Sequence, residues 1–114
     1  MAYESPDEQE FFERGFGLSQ EYDADEGMFS YSYQYEDGRE LIFTHSPFSG
    51  GSIGAKLLEN GSAIFDVYKE GVSRIEFQAW HSDKIIRAYF ASEPSHIEFR
   101  VHYSPSPHMH LSEY

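Results

Sequence analysis

The sequence predicts an α+β fold in which a short N-terminal helix packs on a largely antiparallel β-sheet of about seven strands. Three observations carry this prediction: hydrophobic residues alternate with period two from residue 28 onward, glycine-containing turns separate the alternating segments, and helix signals are confined to the start of the chain. The length of 114 residues fits a single domain, 1–114. Aromatic residues make up 18% of the chain, far more than a disordered chain contains.

The N-terminal segment carries the signals that begin a helix. Ser5 is followed three residues later by Glu8, which is the pattern of a capping box, and Pro6 suits the first helical position. These signals predict a helix over residues 5–14, within an N-terminal unit of residues 1–17.

The first predicted strand, residues 28–36, has one aromatic face. Phe29, Tyr31, Tyr33 and Tyr35 alternate with polar residues, which is the pattern of a strand with one buried face. Each buried tyrosine hydroxyl needs a hydrogen-bond partner, so a row of tyrosines favours a binding surface over a dry core.

Short turns set the direction of the strands that follow. Asp37-Gly38 and Asn60-Gly61 are typical of tight hairpin turns, whose positive φ angles these residues tolerate. Strands joined so closely are antiparallel, because parallel neighbours need a long crossover. The region 28–103 is therefore predicted to be an antiparallel meander, whereas residues 104–114 contain prolines without periodicity and are predicted to form a tail. The later strands are predicted at 39–45, 53–58, 62–69, 72–80, 84–91 and 96–103.

The net charge of −12, from 20 acidic and 8 basic residues, restricts the choice of partner. It argues against nucleic acid and anionic membranes, which are bound through Lys and Arg, and it favours a basic protein. The absence of cysteine excludes disulfides and thiol chemistry. Without an apolar leader or a membrane-length apolar run, a cytoplasmic location is expected.

The acidic residues are concentrated at the start of the chain. Residues 1–40 contain twelve acidic and two basic residues, a net charge of −10, whereas residues 41–114 have a net charge of −2. Like charges that are gathered in one region destabilise a folded protein, so this concentration of acidic residues indicates a functional role for the region. Aromatic side chains suit binding surfaces because they offer area at low entropic cost. The predicted partner-binding residues are Glu21, Asp23, Asp25, Glu26, Tyr31, Tyr33, Tyr35, Glu36, Asp37 and Trp80.

Two patterns that could indicate catalysis or a metal are better explained otherwise. Residues 50–54 match G-x-S-x-G, but strand rather than helix is predicted after the serine, so a flexible loop is expected instead of a nucleophile elbow. Three histidines can ligate zinc, but two of those available here lie in the predicted tail. We therefore predict no catalytic residue, no cofactor and no metal. The histidines concerned are His96, His102, His108 and His110.

In overall type, the chain resembles small acidic bacterial toxin-immunity proteins. The features that carry the resemblance are the small size, the lack of cysteine and the concentrated acidic surface with tyrosines. The resemblance implies an antitoxin that is not an enzyme and that neutralises a basic toxin, such as a nuclease, by charge-complementary capping. The alternative is a small ligand-binding or enzymatic β-domain with an aromatic-lined cleft.

Overall fold

The computed structural model describes residues 3–48, 51–90 and 97–113. Within these ranges the chain forms one α-helix, one 3₁₀ turn and nine strands. The helix among the described residues is too short to cross a membrane. The elements are α1 (Glu8–Glu13), β1 (Gly17–Leu18), the 3₁₀ turn (Ala24–Glu26), β2 (Phe29–Gln34), β3 (Glu40–Ser46), β4 (Ser52–Glu59), β5 (Ser62–Glu70), β6 (Val72–Trp80), β7 (Asp83–Phe90), β8 (Ile97–Ser104) and β9 (His108–Glu113).

The strands form two antiparallel sheets, so the prediction of one sheet of about seven strands is wrong. One sheet has the order β1-β2-β3-β4-β5 and the other has the order β6-β7-β8-β9. The chain passes between them at Gly71, whose φ of 89° suits an abrupt turn. Period-two alternation predicts a strand whose side chains divide into two faces, but it does not determine whether the next strand joins the same sheet.

The helix is shorter than predicted and has a different cap. The side chain of Asp7, and not that of Ser5, caps α1 by accepting a hydrogen bond of 2.9 Å from the Glu10 backbone N–H. The preceding segment is extended because Glu4 forms a parallel β-bridge with Arg74 on β6. Tertiary pairing with the second sheet thus outweighs the local capping signal.

The C-terminal segment is also ordered, so the predicted tail is wrong for residues 108–113. Strand β9 pairs antiparallel with β8, in a register that places His110 opposite Arg100 and Met109 opposite Val101. The prolines that suggested a tail lie in the turn between these two strands. Proline is compatible with a turn that precedes an edge strand.

The two sheets and the helix share one core. Phe11 of α1 is fully buried; its ring stacks on Tyr31 with centroids 3.9 Å apart and meets Phe77 of the second sheet edge-on at 4.9 Å. The hydroxyl of Tyr35 donates a hydrogen bond of 2.7 Å to the Tyr103 carbonyl, which ties the sheets together. The buried core residues are Phe11, Phe16, Tyr31, Leu41, Phe43, Ile53, Ala55, Leu57, Val72, Ile75, Ile86, Ala88, Phe99, Val101 and Tyr103.

Candidate partner-binding site

The segment between β1 and β2, here called the acidic loop (residues 19–28), carries four acidic residues and is folded. The backbone groups of Asp23 and Met28 exchange two hydrogen bonds of 2.8 Å. The Asp23 carboxylate also accepts a bond of 3.3 Å from the Glu26 backbone N–H and so caps the 3₁₀ turn. These bonds hold the carboxylates of the loop beside the first sheet.

A cleft of about 470 Å³ lies between the acidic loop and the outer face of the five-stranded sheet. The floor of the cleft consists of rows of residues that lie opposite one another on β3, β4 and β5. Gly54 occupies the middle of the central row and contributes no side chain, which leaves room above the sheet. The three rows are Ile42–Lys56–Asp66, Thr44–Gly54–Tyr68 and Ser46–Ser52–Glu70.

Large apolar side chains surround this floor. Met28, Phe48 and Tyr68 line the cleft and are 37%, 58% and 61% exposed. Phe48 comes so close to Gly27 that a Cβ atom there would lie 2.3 Å from its ring. The absence of a side chain on Gly27 therefore lets Phe48 close one end of the cleft.

The charges of the cleft are unbalanced. Among its described lining residues, four carboxylates, Glu21, Glu26, Asp66 and Glu70, face a single cation, Lys56. The Lys56 ammonium forms an ion pair with Glu21 across the cleft. This hydrogen-bonded pair raises the pKa of Lys56, and the nearby Asp66 acts in the same direction. The cleft thus combines an apolar wall with an excess of negative charge.

The structure divides the acidic residues predicted to bind a partner between two places. Glu21 and Glu26 line the cleft, and Asp25 is exposed on the acidic loop. Glu36 and Asp37 lie in the β2–β3 turn, outside the cleft lining. Hydrogen bonds from the Arg39 backbone N–H and from the Arg39 side chain hold the pKa of the Asp37 carboxyl below its usual range.

Tyr31 and Tyr33 of β2, and Tyr35 just after it, point toward the core. Tyr31 is 2% exposed, Tyr33 packs against Phe16 with ring centroids 5.1 Å apart, and the Tyr35 hydroxyl is bonded to the second sheet. Because the Tyr35 hydroxyl donates its hydrogen bond to a backbone carbonyl, it can lie at the edge of the core without an unsatisfied polar group. These residues are not part of the surface proposed below.

Trp80 lies on the other sheet. It ends β6 and is 36% exposed, and the Arg100 guanidinium stacks over its ring at 4.1 Å. The outer faces of the two sheets each point away from the shared core, so Trp80 and the cleft do not form one continuous surface. Trp80 therefore stays a separate prediction.

Among the described histidines, His102 and His108 lie opposite each other on paired strands. His102 Nδ1 lies 2.7 Å from an Asp83 carboxylate oxygen, and the His102 and His108 rings are 5.1 Å apart. Within residues 3–48, 51–90 and 97–113 no group of three or more potential ligands could hold a metal. His96 lies outside the described residues, as does Gly50 of the G-x-S-x-G match, whose Ser52 begins β4.

Several residues of the cleft were missed from the sequence. Phe48 lies in a Pro/Gly/Ser segment, and Lys56, Asp66 and Tyr68 belong to strands β4 and β5, whose sequences carry no motif. The Asn60-Gly61 turn pairs Glu59 with Ser62 and by itself would place Phe65 opposite Lys56. A register shift between Leu57 and Leu58 moves Asp66 beside Lys56 instead, so the turn does not reveal this pair.

The fold has a known counterpart. It is similar to that of a chain in the contact-dependent growth inhibition toxin–immunity protein complex from Klebsiella pneumoniae 342, with a TM-score of 0.85. The match covers 98% of this chain and 97% of that chain, at 17% sequence identity. The expected resemblance to bacterial toxin-immunity proteins is thus confirmed at the level of the fold. No protein-family model matches the sequence, and no curated protein does.

Proposed function

We propose that this chain is an immunity protein that binds a basic toxin domain and neutralises it without catalysis. The observation that carries the proposal is the fold match over nearly the full length of both chains. The structural counterpart belongs to a complex of a toxin with an immunity protein, so the chain could correspond to either component. The charge of −12 and the acidic cleft favour the immunity side.

The proposed contact surface is centred on the acidic loop and the cleft beneath it. Charge complementarity would steer a basic toxin toward this surface and would disfavour acidic competitors. Asp23 and Asp25 would contribute to the field around the cleft, while Glu21 and Glu26 would face the partner. Glu36 and Asp37 would extend the acidic surface along the β2–β3 turn. When the toxin binds this surface, this chain would cover the toxin's own cationic substrate site.

The experiment begins by capturing partners of the tagged chain from its native host and identifying them by mass spectrometry. Each captured protein is then expressed in a sensitive host, with and without this chain, and growth is measured. We expect one partner that arrests growth alone and is harmless when this chain is present. Growth arrest by this chain alone would assign it to the toxin side, and captured partners that never impair growth would contradict the proposal.

The alternative of a ligand-binding β-domain has one observation in its favour. The cleft volume of about 470 Å³ falls within the range of small-molecule sites. If the cleft serves a metabolite, thermal stability should rise with a low-molecular-weight extract of the host. A growth-protection assay would then show no effect of this chain.

A further inference from the structure

The cleft over Gly54 has the shape and chemistry of a receptor for one long cationic side chain. We propose that it receives an arginine or lysine side chain of the protein partner, with the aliphatic part against Phe48 and Tyr68 and the charged end among the carboxylates. This inference deepens the proposed function and rests on it for the identity of the partner as a protein.

The floor is open because of a single residue. Gly54 lies between Thr44 and Tyr68 in the central cross-strand row, and a Cβ atom added to it would meet only the Val67 carbonyl oxygen, at 3.6 Å. That is an ordinary van der Waals distance, and the Gly54 backbone is not in a conformation that requires glycine. A larger residue would therefore fit the fold and fill the cleft.

The walls are apolar where the floor is open. Met28, Phe48 and Tyr68 expose large side chains to the cleft, and Ile42 forms part of its base. An acidic pocket for a metal ion or an ammonium ion alone would not need such walls. An arginine or lysine side chain matches both parts, since its methylene groups pack on apolar surface while its charged group stays at a polar end.

The charge of the cleft selects a cation. The Lys56 ammonium neutralises Glu21, which leaves Glu26, Asp66 and Glu70 in excess among the described lining residues. The Tyr68 hydroxyl donates a hydrogen bond of 3.1 Å to Glu70, and both residues line the cleft. A cationic side chain would balance the remaining charge, whereas an anionic one would be repelled.

The first test uses a short arginine-containing peptide, acetylated and amidated, and its citrulline counterpart, which has the same shape without the charge. Each peptide is titrated into the isotope-labelled protein at low salt, and the amide shifts of Gly54, Ala55 and Tyr68 are followed. We expect shifts with the arginine peptide only, and none in Gly54→Val. Equal shifts with both peptides, or an unchanged response in Gly54→Val, would overturn the proposal.

The second test uses the captured toxin. Gly54→Val and Asp66→Asn should each raise its Kd at least about tenfold, because each removes space or charge where the cation would sit. The control Glu59→Gln, which removes one negative charge outside the cleft lining, should change Kd by less than about twofold. Thermal unfolding of Gly54→Val verifies that the variant folds.

Removing the positive charge of the cleft should change toxin affinity in the opposite direction. Removing the resident cation by Lys56→Gln frees Glu21 and should tighten toxin binding by about threefold or more. The control Lys84→Gln, on a residue that does not line the cleft, should have no comparable effect. Weaker binding of Lys56→Gln would contradict a cationic occupant.

The two proposals fail in different ways. If this chain protects against the toxin and Gly54→Val protects equally well at limiting expression, the immunity function stands and the cleft inference is wrong. If no toxin is found but the arginine peptide fills the cleft, the cleft chemistry stands and the immunity function is wrong.

Discussion

Tyr3 and His45, which lie 42 residues apart in the sequence, are joined by a hydrogen bond of 2.8 Å between the Tyr3 hydroxyl and His45 Nδ1. His45 is 4% exposed, and aromatic rings of α1 and β2 surround it, including Phe11 and Phe29. Its Nε2 has no hydrogen-bond partner among the described residues. Burial lowers the pKa of His45 from 6.5 to about 4.

This burial predicts a loss of stability in mild acid. The unfolded chain takes up the His45 proton near pH 6.5, whereas the folded protein takes it up only near pH 4, so the stabilising effect is present above pH 6.5 and is lost as the pH falls. The free energy of unfolding should fall by about 2 kcal/mol between pH 7 and pH 5. Denaturant titrations across this range measure it.

The matched variants for this prediction are His45→Leu and His81→Asn. His45→Leu should flatten the pH profile over this range, even if it lowers stability at pH 7. His81 is exposed in the β6–β7 turn at a φ of 57°, which asparagine tolerates, so His81→Asn should keep the wild-type pH dependence. An unchanged slope in His45→Leu would show that other groups cause the loss.

Adjacent phenylalanines of α1 should differ in their contribution to stability. Phe11 is fully buried between the two sheets, and Phe11→Ala should cost about 3–5 kcal/mol because it leaves a cavity. Phe12 is 38% exposed, and Phe12→Ala should cost about 1 kcal/mol. Equal losses in chemical denaturation would mean that the helix does not close the core as described.

Two glycines with nearly the same φ angle distinguish the cost of a positive φ from the cost of close packing. A Cβ atom on Gly51, at φ 90°, would lie 2.1 Å from the Val72 carbonyl oxygen, whereas one on Gly38, at φ 91°, would meet nothing within 4 Å. Gly38→Ala should cost about 1–2 kcal/mol from the positive φ alone. Gly51→Ala should cost about 2 kcal/mol more because backbone must move. Similar melting temperatures of the two variants would refute the difference.

Association with the toxin should depend strongly on salt. The acidic loop steers the encounter through its field, which salt screens, so the association rate should fall at least about tenfold between 0.05 and 0.5 M salt. The dissociation rate should change less. Asp25→Asn should reduce the salt slope more than Glu59→Gln, which removes the same charge from the end of β4. Stopped-flow or surface-binding kinetics test this, and an association rate independent of salt would contradict steering by the loop.

Local chemistry made much of the fold predictable from the sequence. The alternating segments at 39–45, 72–80 and 84–91 lie within one residue of strands β3, β6 and β7, apart from Ala91, which lies outside the described residues. Asn60 and Gly61 have the positive φ angles, 53° and 82°, that a tight hairpin turn requires. These features depend on neighbours in the sequence, and so the sequence reveals them.

The candidate site was only partly predictable. The acidic loop was found from its composition, and Glu21 and Glu26 do line the cleft. Phe48, Lys56 and Tyr68 were missed, because their meeting depends on the registers of three strands at once. Tyr31, Tyr33 and Tyr35 were predicted to bind a partner, and their side chains pack toward the core, because period two separates two faces and does not say which one the helix covers.

The charge, the type of the elements and the tight turns depend on residue chemistry and local backbone preference, so they can be predicted from the sequence. The division of the strands between two sheets, the buried side of β2 and the position of the cleft result from tertiary packing. Those features depend on the packing of α1, through Phe11, between sheets that are distant in sequence. The apolar surface of Phe11 is buried against both sheets only in the assembled fold. No local sequence pattern therefore predicts this packing.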